Sequence, residues 1–119
     1  MTSDKVILGL TEEVALLGKN GEEKRVRARI DTGATFSSID SRLAADLELE
    51  SSTKSKVIKS ASGTKKRPVV YARIRMEGLV LNAEFSLADR GHMTYPLLVG
   101  QNILRKGNFL IDPNRGGKP

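Results

Sequence analysis

The chain has 119 residues, of which 39% are hydrophobic and 29% charged, a balance typical of one soluble globular domain with a modest core. It has no cysteine, which excludes disulfides and thiol chemistry. No secretory signal is recognisable and no run approaches the ~20 apolar residues that span a bilayer, so we expect a cytoplasmic protein without a membrane partner. The net charge of +6 favours acidic partners.

Short strands and a hairpin turn are predicted in the first part of the chain. The predicted strands cover residues 6–10, 14–17 and 24–30. Residues 18–21 between the last two contain Asn-Gly, a strong hairpin signal. In the returning strand Val26, Ala28 and Ile30 share one face, and this alternation stops at Asp31.

Asp31 lies in a tight polar turn that follows this strand. Gly33 has no Cβ and lets the backbone approach a neighbour closely. Four nearby hydroxyl side chains are able to hold an ionised group in place: Thr32, Thr35, Ser37 and Ser38. An aspartate fixed at a strand end among such residues suits a positioned catalytic acid, although Asp-Thr-Gly is also an ordinary turn sequence.

A short helix and a hairpin are predicted next. The helix covers residues 42–47, with Asp40 or Ser41 as its capping residue. Residues 51–53 form a polar link to the hairpin. The hairpin strands are predicted at residues 56–59 and 67–75. The loop at residues 60–64 is small, polar and glycine-bearing, which is typical of a mobile hairpin tip and also of an ordinary surface turn.

The last part of the chain combines strands with one more helix. The predicted strands cover residues 79–87, 97–99 and 108–111. Residues 89–92 are a loop, and a helix at residues 101–106 ends at Gly107. The number of short strands favours a small closed β-barrel. We predict a single domain over residues 1–113 and a flexible tail at residues 114–119.

Two motifs together resemble the retropepsin-like aspartic peptidases. They are Asp31-Thr32-Gly33-Ala34 after an apolar strand and Leu98-Val99-Gly100 before a short helix. Residues 85–90, 92–100 and 107–113 narrow the likeness to the branch once labelled an ATP-dependent zinc protease. The likeness departs at Thr35, where that branch usually has a basic residue. It implies a mainly β protein, a small closed barrel of the retropepsin (acid protease) type with one or two short helices.

The resemblance also implies a role for each motif. The implied catalytic residue is Asp31. Its active-site loop comprises Thr32, Gly33 and Ala34, and the Thr32 hydroxyl is expected to bond to the loop of a partner. The implied support beneath the loop comprises Leu98, Val99 and Gly100. The implied flap that closes over substrate comprises Ala61, Ser62 and Gly63.

Aspartic peptide hydrolysis needs two carboxylates that share one proton. This chain has a single Asp-Thr-Gly, and its other acidic residues lie in predicted strands, turns and caps. A symmetric homodimer, in which each chain supplies one Asp31, completes the pair. We therefore expect a homodimeric aspartic endopeptidase that acts on peptide or protein substrates, and a heterodimer is the other arrangement left open.

The zinc and ATP parts of the branch label have no support in the residues. The chain has one histidine, His92, and no His-Glu-x-x-His, so no metal is expected. The Gly-x-x-x-x-Gly-Lys-Ser/Thr motif does not occur, and no cofactor is expected.

Basic residues are concentrated in residues 54–75, where no acidic residue occurs. They are Lys54, Lys56, Lys59, Lys65, Lys66, Arg67, Arg73 and Arg75. If this segment faces the cleft, acidic peptides are favoured, and the link of the resembling branch to glutamate ligases makes glutamate-rich tails a candidate substrate. The alternative is a non-catalytic barrel that binds nucleic acid or an acidic partner through a basic face. Aromatic residues are only 4% of the chain, so nucleic acid is the less expected partner.

Overall fold

The computed structural model describes residues 5–61 and 63–116. This part of the chain forms nine strands and two short helices. Their bounds are β1 Ile7–Leu8, β2 Thr11–Leu17, β3 Glu23–Ile30, β4 Ser38–Asp40, α1 Ser41–Asp46, β5 Glu50–Ser60, β6 Gly63–Met76, β7 Leu79–Ala88, β8 Leu97–Val99, α2 Gln101–Lys106 and β9 Leu110–Ile111. Within these residues, no helix has the length and apolar character needed to cross a membrane.

Six of the strands close into a barrel. They follow one another in the order β2, β3, β8, β4, β7 and β6, and β6 pairs back onto β2. β5 pairs with β6, and the two strands form a hairpin that extends beyond the barrel. β1 and β9 form a separate parallel pair. The predicted mainly β class, with a small closed barrel and short helices, is confirmed.

Alternate residues of the strands fill the barrel interior. Along β6 the inward-facing residues are Val70, Ala72, Ile74 and Met76, all buried. Arg73 between them is exposed, as the alternation predicts. Phe85 of β7 and Ile39 of β4 are fully buried. Each large apolar side chain removed from water in this way contributes about 1.5–3 kcal/mol.

The hairpin of β5 and β6 is longer than predicted. Residues 51–53, predicted as a link, lie inside β5. The pairing shifts register between Ser51 and Ser55, a bulge that accommodates this polar run. Most residues of β5 are exposed, so its sequence has no apolar alternation to reveal the strand. Ser62 at the tip lies outside the described residues.

The start of α1 differs from the prediction in its capping. Asp40 occupies the N-cap position, but its side chain makes no capping hydrogen bond. Its Oδ1 accepts a hydrogen bond from the backbone N of Arg90 at 2.9 Å instead. Ser41 is the first helical residue, and its hydroxyl donates to Ala88 O at 3.2 Å. The predicted capping role is therefore wrong, because contacts with the end of β7 and the following loop occupy both side chains.

The second helix, α2, covers the predicted residues. Gly107 ends it in a right-handed conformation with φ −85°, and the left-handed residue is Asn108 with φ 53°. A Cβ on Gly107 would lie 2.2 Å from the ring of Phe109, so a larger residue there would require that ring to move.

The two ends of the described chain meet at one corner of the barrel. A Cβ on Gly9 would lie 2.4 Å from the backbone of Arg115, and Leu10 N donates to Arg115 O at 3.0 Å. The Thr11 hydroxyl donates to Gly116 O. The boundary between a domain and a tail at residues 114–119 stays a prediction, although residues 115 and 116 contact the barrel. Residues 117–119 lie outside the described residues.

Candidate active site

Asp31 follows β3 directly, where the chain leaves the sheet. Its backbone N donates to Val99 O at 2.9 Å, and the preceding Ile30 N donates to Leu10 O at 2.9 Å. Gly33 N donates to Asp31 Oδ1 at 3.0 Å, and the side chain is half-buried. Among the described residues nothing donates to Oδ2. The carboxylate is thus held in place with one oxygen open to a reacting partner.

Ser37 joins the Asp31 loop to the start of α2. Its hydroxyl donates to Asn102 Oδ1 at 2.7 Å and accepts from Gly100 N at 2.8 Å. The Ser37 backbone N also donates to Asn102 Oδ1, at 2.9 Å, and Asn102 Nδ2 donates to Glu84 O at 3.0 Å. Ser37 is fully buried, so these bonds are shielded from water. Asn102 was not predicted as a site residue, although an asparagine two residues after Gly100 is visible in the motif.

Gly100 brings the chain against the underside of the loop. A Cβ there would lie 2.8 Å from both Ala34 O and Phe36 O, so only glycine fits without a backbone shift. The next residue, Gln101, donates its backbone N to Ala34 O and its Nε2 to Thr32 O, each at 2.8 Å. Val99 and Gly100, predicted as support, both contact the loop through backbone atoms.

The hydroxyls that were predicted to hold the ionised Asp31 do not contact it. Thr32 and Thr35 are exposed. Ser37 binds beneath the loop, as described above. The Ser38 Oγ accepts a hydrogen bond from Arg90 Nη1 at 3.3 Å. Among residues 5–61 and 63–116, only the backbone of Gly33 donates a hydrogen bond to the carboxylate, so that part of the prediction is wrong.

A row of residues on neighbouring strands forms the surface beside Asp31. Arg29 of β3 pairs with Leu98 of β8, and Leu98 pairs with Ser38 of β4. Paired residues lie on the same face of a sheet, so Arg29, Leu98 and Ser38 share one face, next to the point where β3 leads into Asp31. Leu98, predicted as support beneath the loop, is half-buried in this row. We call the row the cleft floor.

The hairpin of β5 and β6 reaches back over this region. The Lys56 ammonium of β5 lies 4.9 Å from the centre of the Phe36 ring, and Phe36 ends the Asp31 loop. Ala61 and Gly63 at the tip are exposed. Ser62, also predicted in the flap, lies outside the described residues. The hairpin therefore contacts the end of the Asp31 loop through Lys56 and has an exposed tip.

Arg90 was not predicted as a site residue, since it lies in a segment predicted only as a loop. The residue is buried, with 8% of its surface exposed. Its Nε donates to Tyr95 O at 3.0 Å, and its Nη1 donates to Ser38 Oγ on the cleft floor. Burial, and then the nearby Arg29 and Arg67, lower the pKa of Arg90, while Asp40 and Asp31 oppose that change.

The other concave surfaces lie away from Asp31. Three cavities of about 490, 690 and 470 Å³ are lined by other parts of the barrel. The third includes His92, which is exposed in its loop. Within residues 5–61 and 63–116, no three His, Cys, Asp or Glu side chains are grouped to hold a metal ion.

Solved structures share this fold. A protein of unknown function from Legionella pneumophila is 24% identical, with TM-score 0.65 over 93% of this chain and 95% of that chain. The EIAV protease complexed with the inhibitor HBY-793 is 18% identical, with TM-score 0.62 over 81% of this chain and 85% of that chain. The simian foamy virus protease is 21% identical, with TM-score 0.57 over 80% of this chain and 91% of that chain. The fold is therefore that of the retropepsin class of aspartic proteases.

The sequence places the chain within a particular family of this class. Residues 40–116 match the RimB-like family, described as retropepsin-like aspartic endopeptidase RimB. The match covers more than half of the chain, and the chain belongs to this family. It begins after the Asp31 turn, so the turn itself lies outside the matched residues. A search of curated proteins found no match.

Proposed function

We propose that the protein is a homodimeric aspartic endopeptidase with Asp31 as its catalytic residue. The observation that carries this proposal is the fixed position of Asp31 after β3, with Gly33 N on one oxygen and no donor from the described residues on the other. The chain has one Asp-Thr-Gly, so a second copy supplies the second carboxylate across a two-fold axis. The exposed Thr32 lies in the same loop and is available to bond to that copy.

The proposed chemistry follows from a pair of carboxylates that share one proton. The ionised Asp31 takes a proton from water, whose oxygen attacks the scissile carbonyl carbon, and the protonated Asp31 gives its proton to the carbonyl oxygen. The resulting tetrahedral diol then collapses. Its C–N bond breaks as the nitrogen receives a proton, and the amine and acid products leave. Val99 and Gln101 position the loop through their bonds to it and take no part in the proton transfers.

The substrate binds in this proposal as an extended strand between the cleft floor and the hairpin tip. Ala61, Ser62 and Gly63 act as the flap, with backbone groups that bind the substrate main chain and exclude water. Leu98 of the cleft floor contacts substrate side chains. The basic hairpin favours acidic peptides by long-range attraction.

The test is cleavage of a mixed peptide library between pH 4 and pH 8, by wild type and by Asp31→Asn. Cleavage by wild type alone, blocked by a statine-type inhibitor and not by chelators, supports the proposal. Cleavage that persists in Asp31→Asn contradicts it. Sizing of the pure protein at several concentrations distinguishes a homodimer from half of a heterodimer. A dimer that cleaves nothing directs attention to the alternative, a binding barrel whose nucleic-acid affinity falls steeply with salt.

A further inference from the structure

The segment that follows β9 lies against the part of the chain that backs the candidate active site. We call residues 112–116 of this segment the strap. Asp112 N donates to Leu8 O at 2.8 Å, and Leu10 N donates to Arg115 O at 3.0 Å. The chain bends at Leu10, between β1 and β2. The strap therefore binds the backbone on and before this bend.

The strap has a defined shape of its own. Asp112 Oδ1 accepts a hydrogen bond from Asn114 N at 2.9 Å, and Asp112 O accepts one from Arg115 N at 3.1 Å. The Arg115 side chain donates from Nη1 to Ile7 O at 3.2 Å. These bonds fix the carbonyl of Arg115, so Leu10 donates to an acceptor that is already held in place.

Two glycines allow the strap to approach this closely. A Cβ on Gly9 would lie 2.4 Å from the backbone C and O of Arg115, and a Cβ on Gly116 would lie 2.4 Å from Thr11 O. Gly116 O accepts hydrogen bonds from the Thr11 hydroxyl and, at 3.4 Å, from Arg27 Nη2. Thr11 is buried, with 2% of its surface exposed, so its bond to the strap is shielded from water.

A row of backbone hydrogen bonds connects the strap to Asp31. Leu10 N donates to Arg115 O, and Leu10 O accepts from Ile30 N at 2.9 Å. Asp31 follows Ile30, and its N donates to Val99 O on the opposite side of β3. The end of β3 is thus held by β8 on one side and, through Leu10, by the strap on the other.

The strap lies outside the six strands of the barrel and outside the cleft floor. We infer that it is a positioning element for Asp31, with Thr11 and Gly116 as the residues that anchor it. The inference rests on the proposed function, because only a reaction at Asp31 depends on the exact place of its carboxylate. Release of the strap frees the end of β3 and lowers the rate of the chemical step. Substrate binding is retained, since the strap does not line the cleft floor.

Gly116→Ala and Gly21→Ala form a matched pair for the kinetic test. Both glycines have a left-handed backbone, with φ of 83° and 81°, so alanine causes similar backbone strain at both. A Cβ on Gly116 meets Thr11, whereas a Cβ on Gly21 has nothing within 4 Å. For a peptide that wild type cleaves, we expect kcat to fall at least about 10-fold in Gly116→Ala, with KM within about twofold. Gly21→Ala leaves both values unchanged.

Two substitutions of Thr11 separate positioning from stability. Thr11→Val keeps the branched side chain but removes the hydroxyl that binds Gly116 O, and Thr11→Ser keeps the hydroxyl but removes the methyl group. The readout is amide hydrogen exchange at Ile30 and Asp31, compared with core amides of β6 and β7. We expect this relative exchange to be at least about fivefold faster in Thr11→Val and unchanged in Thr11→Ser, even where Thr11→Ser has the lower Tm.

The outcomes separate this inference from the proposed function. All variants are compared at a chain concentration at which sizing gives the same assembly state as wild type. Equal kcat values for Gly116→Ala and Gly21→Ala overturn the inference, and so does equal relative exchange in the two Thr11 variants. Faster exchange at Ile30 in Thr11→Val alone supports it even if wild type cleaves no peptide. Failure of wild type to cleave any library peptide counts against the endopeptidase alone.

Discussion

Removal of the Ser37 hydroxyl is the sharpest test of how the catalytic loop is held. In Ser37→Ala the buried Gly100 N–H loses its acceptor at 2.8 Å, and Asn102 Oδ1 loses one of its two donors. A buried donor left unpaired costs about 1–3 kcal/mol, and the second lost bond adds about 1 kcal/mol. The expected loss is therefore about 2–4 kcal/mol. At about 4 °C per kcal/mol for a domain of this size, Tm falls by about 8–16 °C.

Ser86→Ala is the matched control for this substitution. Ser86 is also buried, but its hydroxyl makes only one long hydrogen bond of 3.3 Å, to Ser37 O. In Ser86→Ala, Ser37 O still accepts a hydrogen bond from the backbone N of residue 86 at 2.9 Å. We expect a loss below about 1 kcal/mol. Both variants are melted at one protein concentration, because dimerisation would make Tm concentration-dependent. Equal losses in the two variants would refute the central position given to Ser37.

Three further predictions concern the loop, the hairpin and a buried acid. Gly100→Ala forces a Cβ to 2.8 Å from two backbone oxygens of the loop, so both Tm and peptide cleavage fall by more than in Gly91→Ala, where the nearest atoms to the new Cβ lie 3.8 Å away. Equal effects of the two substitutions on Tm would contradict the clash. Lys56→Met removes the contact with Phe36, worth about 0.5–1 kcal/mol at an exposed site, and limited proteolysis of the hairpin should become about two- to fivefold faster, with Lys59→Met unchanged. Burial raises the pKa of Glu12 above 4.5, and the neighbouring Glu77 adds to this effect, whereas the hydrogen bond from Gly9 N opposes it. The contribution of Glu12 to the free energy of unfolding is therefore lost as the pH rises from 4.5 through the raised pKa. Urea unfolding of Glu12→Gln between pH 4 and pH 8 should therefore show the variant gaining stability relative to wild type with rising pH, and a constant difference would count against the shift.

The local signals around Asp31 could be predicted because they depend on near neighbours in the sequence. The alternation of Val26, Ala28 and Ile30 with exposed arginines predicts β3. The end of this alternation predicts where Asp31 leaves the strand. The helix after Gly100 was predicted with its observed bounds. Each of these features is decided within a few residues, where side-chain periodicity and glycine leave clear patterns.

The features that were missed depend on contacts between distant segments. Arg90 lies in a polar loop, and nothing in that loop indicates that Ser38, more than 50 residues earlier, will accept a hydrogen bond from its guanidinium. The hairpin strand β5 is exposed along most of its length, so no apolar alternation distinguished it from a link. Asp40 was predicted to cap the helix because its sequence position suits a cap. In the fold, the backbone N of Arg90 binds the Asp40 carboxylate instead, and this contact between distant segments cannot be read from the sequence.

Contacts within one chain already hold the loop that carries Asp31. Val99 and Gln101 bind its backbone, and Gly33 N binds the carboxylate. The Ser37 hydroxyl accepts from Gly100 N and donates to Asn102 of α2. In the proposed dimer, association therefore needs to supply a second carboxylate and does not need to order the first. If each loop keeps these contacts in the dimer, the concentration dependence of cleavage reports assembly alone. Activity then rises with the square of chain concentration below the dimer dissociation constant and linearly above it, whereas a loop ordered by the partner would add a slow phase after mixing.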